Sequence, residues 1–281
     1  MFRVLVADKL PQSALDRLDA MGCDVHFDAG LKEESLKEAL KSLQPEVVVV
    51  RSTKVRHAHF EAAPSMSLVV RAGAGVNTID LEGASERGVY VSNCPGKNAV
   101  AVAELAWAHI LNADRRVADG VSDLRLGRWK KKVYSKGAKG LKGRILGLVG
   151  LGAIGRAVAQ RAQAFEMPVV AFDPGVGQEE MAALGVEKKT SVEGVAAVSD
   201  VLSVHVGLNE HTRGLMGETV FSALKEGAIF VNTSRGPVVD EAALGRAVTE
   251  KGVRAGLDVF CDEPAGDGDW SSDLLGLDGV Y

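Results

Sequence analysis

The run Leu148-Val149-Gly150-Leu151-Gly152-Ala153-Ile154-Gly155-Arg156 constrains this chain more than any other. It is a G-x-G-x-x-G turn, set after a short apolar run (Ile145 to Val149) and before an apolar-periodic stretch (Ala157 to Phe165). Strand, glycine turn and helix in that order are what a dinucleotide-binding unit requires. Gly150 permits the tight turn, Gly152 lets the backbone approach a pyrophosphate, and Gly155 lets helix and strand pack closely. The helix start adds unpaired N–H groups and the positive end of its dipole. In a chain with 32 glycines the spacing alone is weak, so a second signal matters. The next apolar run, Pro168 to Phe172, ends in Asp173, eighteen positions beyond Gly155 and close to the offset of about 20 expected of a ribose-binding carboxylate. Such a carboxylate accepts hydrogen bonds from an adenosine diol and repels a 2′-phosphate. With no Arg among Pro174, Gly175, Val176 and Gly177, this favours NAD over NADP. The bland alternative is a plain doubly wound domain with a surface Asp.

At 281 residues the chain has room for two domains of ordinary size. Its 46% hydrophobic and 25% charged content suits a globular protein, and a net charge of −4 gives no general attraction for nucleic acid or anionic membrane. The local exception is basic: Arg128-Trp129-Lys130-Lys131-Lys132, then Lys136, Lys139 and Lys142. That run reads as a solvated loop, or as charge offered to an anionic ligand or a neighbouring subunit. Cys23, Cys94 and Cys261 lie far apart without metal-ligand spacing, so they read as reduced thiols, with no disulfide framework and no metal site. The start, Met1-Phe-Arg-Val-Leu-Val-Ala-Asp, enters a strand pattern directly, and no apolar stretch reaches membrane-spanning length. The expected location is cytoplasmic.

Residues 1 to 97 alternate apolar runs with helical patterns. Strands are expected over Phe2–Ala7, Cys23–Phe27, Val47–Val50, Leu68–Arg71 and Val89–Ser92, and helices near Ser13–Met21, Glu33–Leu43, His57–Ala62 and Leu81–Arg87. A long helix over 98–119, burying Val102, Leu105, Ala106, His109 and Ile110, would bridge to a second domain. After a Gly- and Lys-rich loop (120–142) the alternation resumes, with strands over 145–149, 168–172, 201–206, 228–232 and 253–258. The fold class is therefore α/β, with parallel sheets covered by helices.

Ligands of open α/β sheets bind at the carboxyl ends of the strands. Those ends read Asn232-Thr233-Ser234-Arg235-Gly236, Asp258 to Glu263-Pro264, and Ser203-Val204-His205-Val206. In the first domain they read Arg51-Ser52-Thr53-Lys54 and Arg71-Ala72-Gly73-Ala74-Gly75. Taken singly, Arg235 could merely cap a loop and Glu263 could be solvated. Together, polar ends on two domains point to a ligand site.

In order and spacing these segments, with Pro95-Gly-Lys-Asn98 and Ala103-Glu-Leu, resemble the D-2-hydroxyacid dehydrogenase family, and most of all its D-3-phosphoglycerate dehydrogenase branch, over essentially the whole chain. The resemblance implies two Rossmann-like domains: a flavodoxin-like substrate-binding domain (1–97, without its returning C-terminal helix) and an NAD-binding doubly wound parallel sheet (98–281, including the bridging helix). It implies that Arg235 grips a substrate carboxylate, which a planar charged fork suits. Glu263 would pair with a catalytic His, raising its pKa. Ala74, Gly150, Gly152, Ala153, Ile154, Gly155, Asp173, Val206, Thr233, Ser234 and Asp258 match cofactor contacts. Arg51, Ser52, Arg71, Gly73, Gly75 and Asn98 match substrate-side positions, with Arg51 and Arg71 set against a phosphate; Arg71 could instead hold Asp80 or Glu104. The implied reaction is oxidation of 3-phospho-D-glycerate to 3-phosphohydroxypyruvate. The implied assembly is a homo-oligomer through the NAD-binding domain, for which Trp107, Trp129 and Tyr134 are candidate aromatics, Trp107 being equally a candidate for the core.

One departure stands out. The family's catalytic His lies in a Pro-His-x-Gly segment after the Glu-Pro motif, whereas here Leu277-Asp-Gly-Val280-Tyr281 is the last stretch and none of the six histidines takes that place. His205 reads as structural or cofactor-side. The expectation is a truncated piece of an ordinary enzyme, with weak NAD binding and little or no turnover. The alternatives are a dehydrogenase of another D-2-hydroxy acid and a non-catalytic NAD-sensing protein.

Overall fold

The computed structural model describes residues 1–264 and 268–281, which form two compact units, Met1–Asn98 and Ala99–Tyr281. The first unit runs β1 (Arg3–Val6), α1 (Gln12–Ala20), β2 (Asp24–Phe27), α2 (Glu33–Leu43), β3 (Val47–Val50), α3 (His57–Ala62), β4 (Leu68–Arg71), α4 (Leu81–Glu86) and β5 (Tyr90–Ser92). Its parallel sheet has the order β2-β1-β3-β4-β5, the flavodoxin-like arrangement. Alternate residues feed opposite faces. Leu5, Ala7, Val48 and Val50 join the core under α2 and α3, while Val4, Val6 and Val49 pack with Leu15 of α1.

The second unit runs α5 (Ala99–Arg115), α6 (Val117–Arg125), α7 (Lys131–Lys136), β6 (Leu146–Val149), α8 (Ala153–Ala164), β7 (Val169–Phe172), α9 (Gln178–Ala183), β8 (Val186–Lys188), α10 (Val192–Ala196), β9 (Val201–Val204), α11 (Glu218–Ala223), β10 (Ile229–Asn232), α12 (Glu241–Lys251) and β11 (Arg254–Leu257), with a 3₁₀ turn at Gly236–Val238. The strands pair in parallel in the order β11-β10-β9-β6-β7-β8, the doubly wound order of dinucleotide-binding domains. Leu146, Leu148, Val169, Ala171, Val201 and Val231 bury one face, and Val149, Val170, Leu202, Val204 and Phe230 the other. Gly279–Tyr281 continue the sheet beyond β11: Val280 bridges to Ala255, and Leu257 N–H donates to Tyr281 at 2.8 Å.

Three sequence expectations are corrected. The helix expected over 98–119 is two helices, because Arg116 adopts the left-handed conformation (φ 53°) between α5 and α6. The stretch 120–142 is not a plain loop, since it holds the end of α6 and all of α7. The face of α5 turned to the core is Ala103, Ala106, Trp107, Ile110 and Ala113, while Leu105 is exposed. Trp107 is accordingly a core residue. Its ring stacks on Phe165 at 4.5 Å, and its indole N–H donates to the Val158 carbonyl at 3.2 Å.

Among the described residues no helix is long and apolar enough to cross a membrane.

Candidate functional site: a glycine turn and two polar strand ends

The direction of strand order reverses between β6 and β9, and both strands end at the glycine turn. Gly150 has φ +95°, and a Cβ on it would lie 2.7 Å from the His205 carbonyl oxygen and 2.9 Å from Cγ1 of Val206. On Gly155 a Cβ would fall 2.3 Å from the Gly150 carbonyl oxygen, so α8 starts this close to the end of β6 only because Gly155 lacks a side chain. Gly152, the residue before α8, faces open space. Beside it Asp173 is clamped by two amides: Leu151 N–H donates to Oδ2 at 2.7 Å and Gly175 N–H to Oδ1 at 2.8 Å. Ala153 and Ile154 form the first turn of α8.

The ends of β10 and β11 make a second cluster. The buried Asn232 accepts from the Ser234 amide at 3.0 Å and the Ser234 hydroxyl at 2.7 Å, and its own amide donates to the Arg235 carbonyl at 3.1 Å. This turn leaves Arg235 exposed, with Nη1 donating to the Ser234 carbonyl at 2.6 Å. It also buries the Thr233 hydroxyl without a hydrogen-bond partner. Asp258 N–H donates to the Asn232 carbonyl at 3.1 Å, and Glu263 accepts from the Phe260 amide at 2.9 Å. Gly236 joins the two loops: a Cβ there would sit 1.9 Å from the Phe260 carbonyl oxygen, so backbone lies directly on backbone. Arg235 and Glu263 thus stand on two loops held against each other.

His205 ends β9. Its Nε2 lies 2.9 Å from the Ser203 hydroxyl, and Nδ1 is shut from solvent without a partner. Burial pushes its pKa down to about 4, so the ring is neutral at neutral pH.

In the first unit Val50 and Arg71 are register partners, which puts Arg51 and Arg71 at the ends of adjacent strands. The Arg71 guanidinium lies across Gly73, where a Cβ would fall 1.3 Å from Nη1. The Gly73 and Ala74 carbonyls accept from Cys94 N–H (2.9 Å) and Asn93 Nδ2 (2.6 Å), which fixes the loop leading to Gly75. Asp80 caps α4 by accepting from Gly83 N–H at 3.0 Å, and Glu104 faces Arg161 at 3.4 Å. Asn98 lies in the exposed turn before α5. Ser52 donates to Asp8, and Asp8 is a residue that reading the sequence passed over. Its signal was present, since it ends β1 as the other candidates end their strands. Gly236 belongs to the strand-end run read from the sequence, but its role was not legible there, because nothing local marks a glycine that spaces two distant loops.

These features fit a bound dinucleotide. Backbone amides at the head of α8 line a cradle that side chains would fill, an acidic residue ends the second strand, and a buried hydroxyl lacks a partner. Two cavities of about 560 Å³ lie in this unit, one along α8 from its first residue Ala153 to the end of α9 and one along α5 and α6. Among the described residues no group of three or more His, Cys, Asp or Glu could hold a metal ion.

Fold and turn together define a dinucleotide-binding α/β protein. The chain belongs to the D-isomer-specific 2-hydroxyacid dehydrogenases, whose NAD-binding-domain family model matches residues 107–280. It is 38% identical over 282 aligned residues to D-3-phosphoglycerate dehydrogenase of Methanocaldococcus jannaschii, covering 100% of this chain and 52% of that protein. It is 41% identical over 248 residues to hydroxypyruvate reductase of Thermotoga maritima, covering 87% and 79%. Holo D-mandelate dehydrogenase of Rhodotorula graminis superposes with a TM-score of 0.89 at 29% identity, covering 99% of this chain and 86% of that one. The chain spans about half the length of the phosphoglycerate dehydrogenases it matches.

Proposed function

We propose that the chain serves an NAD-dependent dehydrogenase that oxidises the 2-hydroxyl of 3-phospho-D-glycerate to a ketone, giving 3-phosphohydroxypyruvate. The observation that carries the substrate is the pair of cations on adjacent strand ends, Arg51 and Arg71, in a chain whose net charge is −4. A 2-hydroxy acid without phosphate needs only one cationic clamp, and Arg235 provides it. Two more guanidiniums suit a second, doubly charged anion. NAD supplies the hydride acceptor when bound. The α8 amides with Gly150, Gly152, Ala153, Ile154 and Gly155 hold the diphosphate, and Asp173 accepts from the adenosine ribose. Val206, Thr233, Ser234 and Asp258 line the rest of the cofactor's path, and Ala74 is the remaining cofactor-side position. Arg235 orients the substrate carboxylate, Glu263 stands where the family's carboxylate would pair with a catalytic imidazole, a place that none of the six histidines here takes, and Ser52, Gly73, Gly75 and Asn98 complete the substrate side. The second reading, a dehydrogenase of an unphosphorylated hydroxy acid, is favoured by the likeness to hydroxypyruvate reductase.

Calorimetry on the chain loaded with NADH separates the two. On the phosphate reading, Arg71→Ala weakens 3-phospho-D-glycerate binding by about tenfold or more, the loss of one charge-assisted contact, and leaves D-glycerate binding unchanged. Equal loss for both ligands, or none for either, rejects the phosphate assignment.

A further inference from the structure

In an open α/β sheet the ligand crevice forms where strand order reverses, which in the first unit is between β1 and β3. There the turn after β3 presents three successive amides, the kind of concavity that takes anions. All three are already used. Arg51, Ser52 and Thr53 N–H donate to Oδ2 of Asp8 at 2.7, 3.0 and 2.9 Å, and the Ser52 hydroxyl donates to Oδ1 at 2.9 Å. Asp8 is only 9% exposed, and Thr53 Oγ1 ties the far side of the turn to the Ala7 carbonyl at 3.2 Å.

We propose that Asp8 is a built-in anion that occupies the switch point of the first unit and, by fixing the Arg51–Thr53 turn, moves the ligand's anion-binding position one strand over, to the ends of β3 and β4. This rests on the substrate reading above, and it assigns Asp8 as a positioning residue. A tethered carboxylate outcompetes any free anion for those amides, because it carries no translational cost of binding. Burial alone would disfavour its charge, but the bonds from Arg51, Thr53 and Ser52 outweigh burial and keep it ionised, with its pKa below the usual carboxylate value. Two consequences follow for specificity. The Ser52 proton is committed to Asp8, so Ser52 Oγ meets a ligand only as an acceptor, suited to a hydroxyl and unsuited to a phosphate oxygen. The side-chain donor that this turn still presents to an anion is the exposed guanidinium of Arg51.

The test is Asp8→Ala in the whole chain, with Asp8→Asn as a second variant that keeps the volume and loses the charge. Amide hydrogen exchange at residues 51–53 should quicken by about tenfold or more, as expected when charge-assisted bonds are lost. Affinity for 3-phospho-D-glycerate should fall by about the same factor, while affinity for NADH, held by the second unit, stays constant. Sodium formate, the missing carboxylate as a free ion, should restore both slow exchange and affinity to Asp8→Ala. Unchanged exchange, unchanged 3-phospho-D-glycerate affinity, or exchange that formate fails to slow each overturns the assignment. If Asp8→Ala does not fold, exchange in Asp8→Asn decides. A wild-type chain that binds no 3-phospho-D-glycerate sinks the substrate reading instead, and exchange with formate rescue still decides what Asp8 does.

Discussion

Thr233 carries a hydroxyl that folding buries and leaves without a partner. A buried unsatisfied polar group costs about 1–3 kcal/mol, so the site stores a penalty that a ligand could relieve. Thr233→Val removes the group and nearly keeps the shape. Urea unfolding should show the variant unchanged or about 1 kcal/mol more stable, while NADH affinity in calorimetry drops about fivefold, one hydrogen bond's worth. A loss of stability would mean the hydroxyl already has a partner. His205, at the neighbouring strand end, sets a pH dependence. Its folded pKa of about 4 lies below its ordinary 6.5, so the unfolded chain binds the proton first. Its contribution is complete above pH 6.5 and is lost as pH falls toward 4, with a slope of up to about 1.4 kcal/mol per pH unit. Asp8 and Asp200, both depressed carboxylates, act in a lower window: their stability is present above their unfolded pKa near 4 and lost as pH falls through their folded values. Urea midpoints between pH 7 and 5 should therefore decline in the wild type and decline less steeply in His205→Gln, where His109, also depressed by burial, is left to titrate. An unchanged slope would place the titration on another group.

At the scale of elements, two glycines act as spacers between pieces that must touch. Gly155→Ala drives a methyl into the Gly150 carbonyl, with backbone on both sides and nothing able to rotate away. Separating α8 from β6 should cost about 1–3 kcal/mol of stability, the usual range for overpacking, and weaken NADH binding by more than tenfold because the amides move with the helix. Tm and NADH titration check this, and wild-type affinity in the variant would show that the helix start does not grip the cofactor. The same elements show what a sequence makes legible. The four valines of β3 and the glycine turn before α8 advertise themselves through local pattern. β8 does not, being a three-residue edge strand, Val186-Glu187-Lys188, with one buried side chain and no apolar run to announce it. The break between α5 and α6 is also silent, because Asn112 to Asp119 contains no Gly or Pro. It is made by contacts: Asn112 accepts from Ala118 N–H at 2.7 Å, and Arg116 reaches Asp119, Asp278 and the Tyr134 ring. Asp8 could be read as a strand end, but not as the partner of residues 51–53 until β1 was known to lie beside β3.

For the molecule as a whole the open question is what covers α6 and α7. Leu124, Leu126, Trp129 and Val133 are 62%, 63%, 81% and 59% exposed, a concentration of large apolar side chains that a lone globular unit has little reason to carry. Asp123 does not use them. Its carboxylate instead gathers the Tyr134 hydroxyl and Lys130, holding the segment in shape with its apolar side chains outward. Burying such side chains yields about 1.5–3 kcal/mol each, so the eight that two copies would bury together give on the order of 10–25 kcal/mol. Association costs about 4–15 kcal/mol, a range that overlaps this one, which makes a reversible pairing of two copies through these helices the expected assembly. Eleven of the chain's 33 Lys and Arg fall between Arg115 and Arg144 against two acids, so the same surface would also attract an acidic partner. Sedimentation separates the two. A second copy gives a concentration-dependent dimer that Leu124→Glu and Trp129→Glu convert to monomer with Tm nearly unchanged, because neither side chain is in the core. If the wild type sediments as a monomer at every concentration, the exposed face belongs to some other partner and the dimer is wrong.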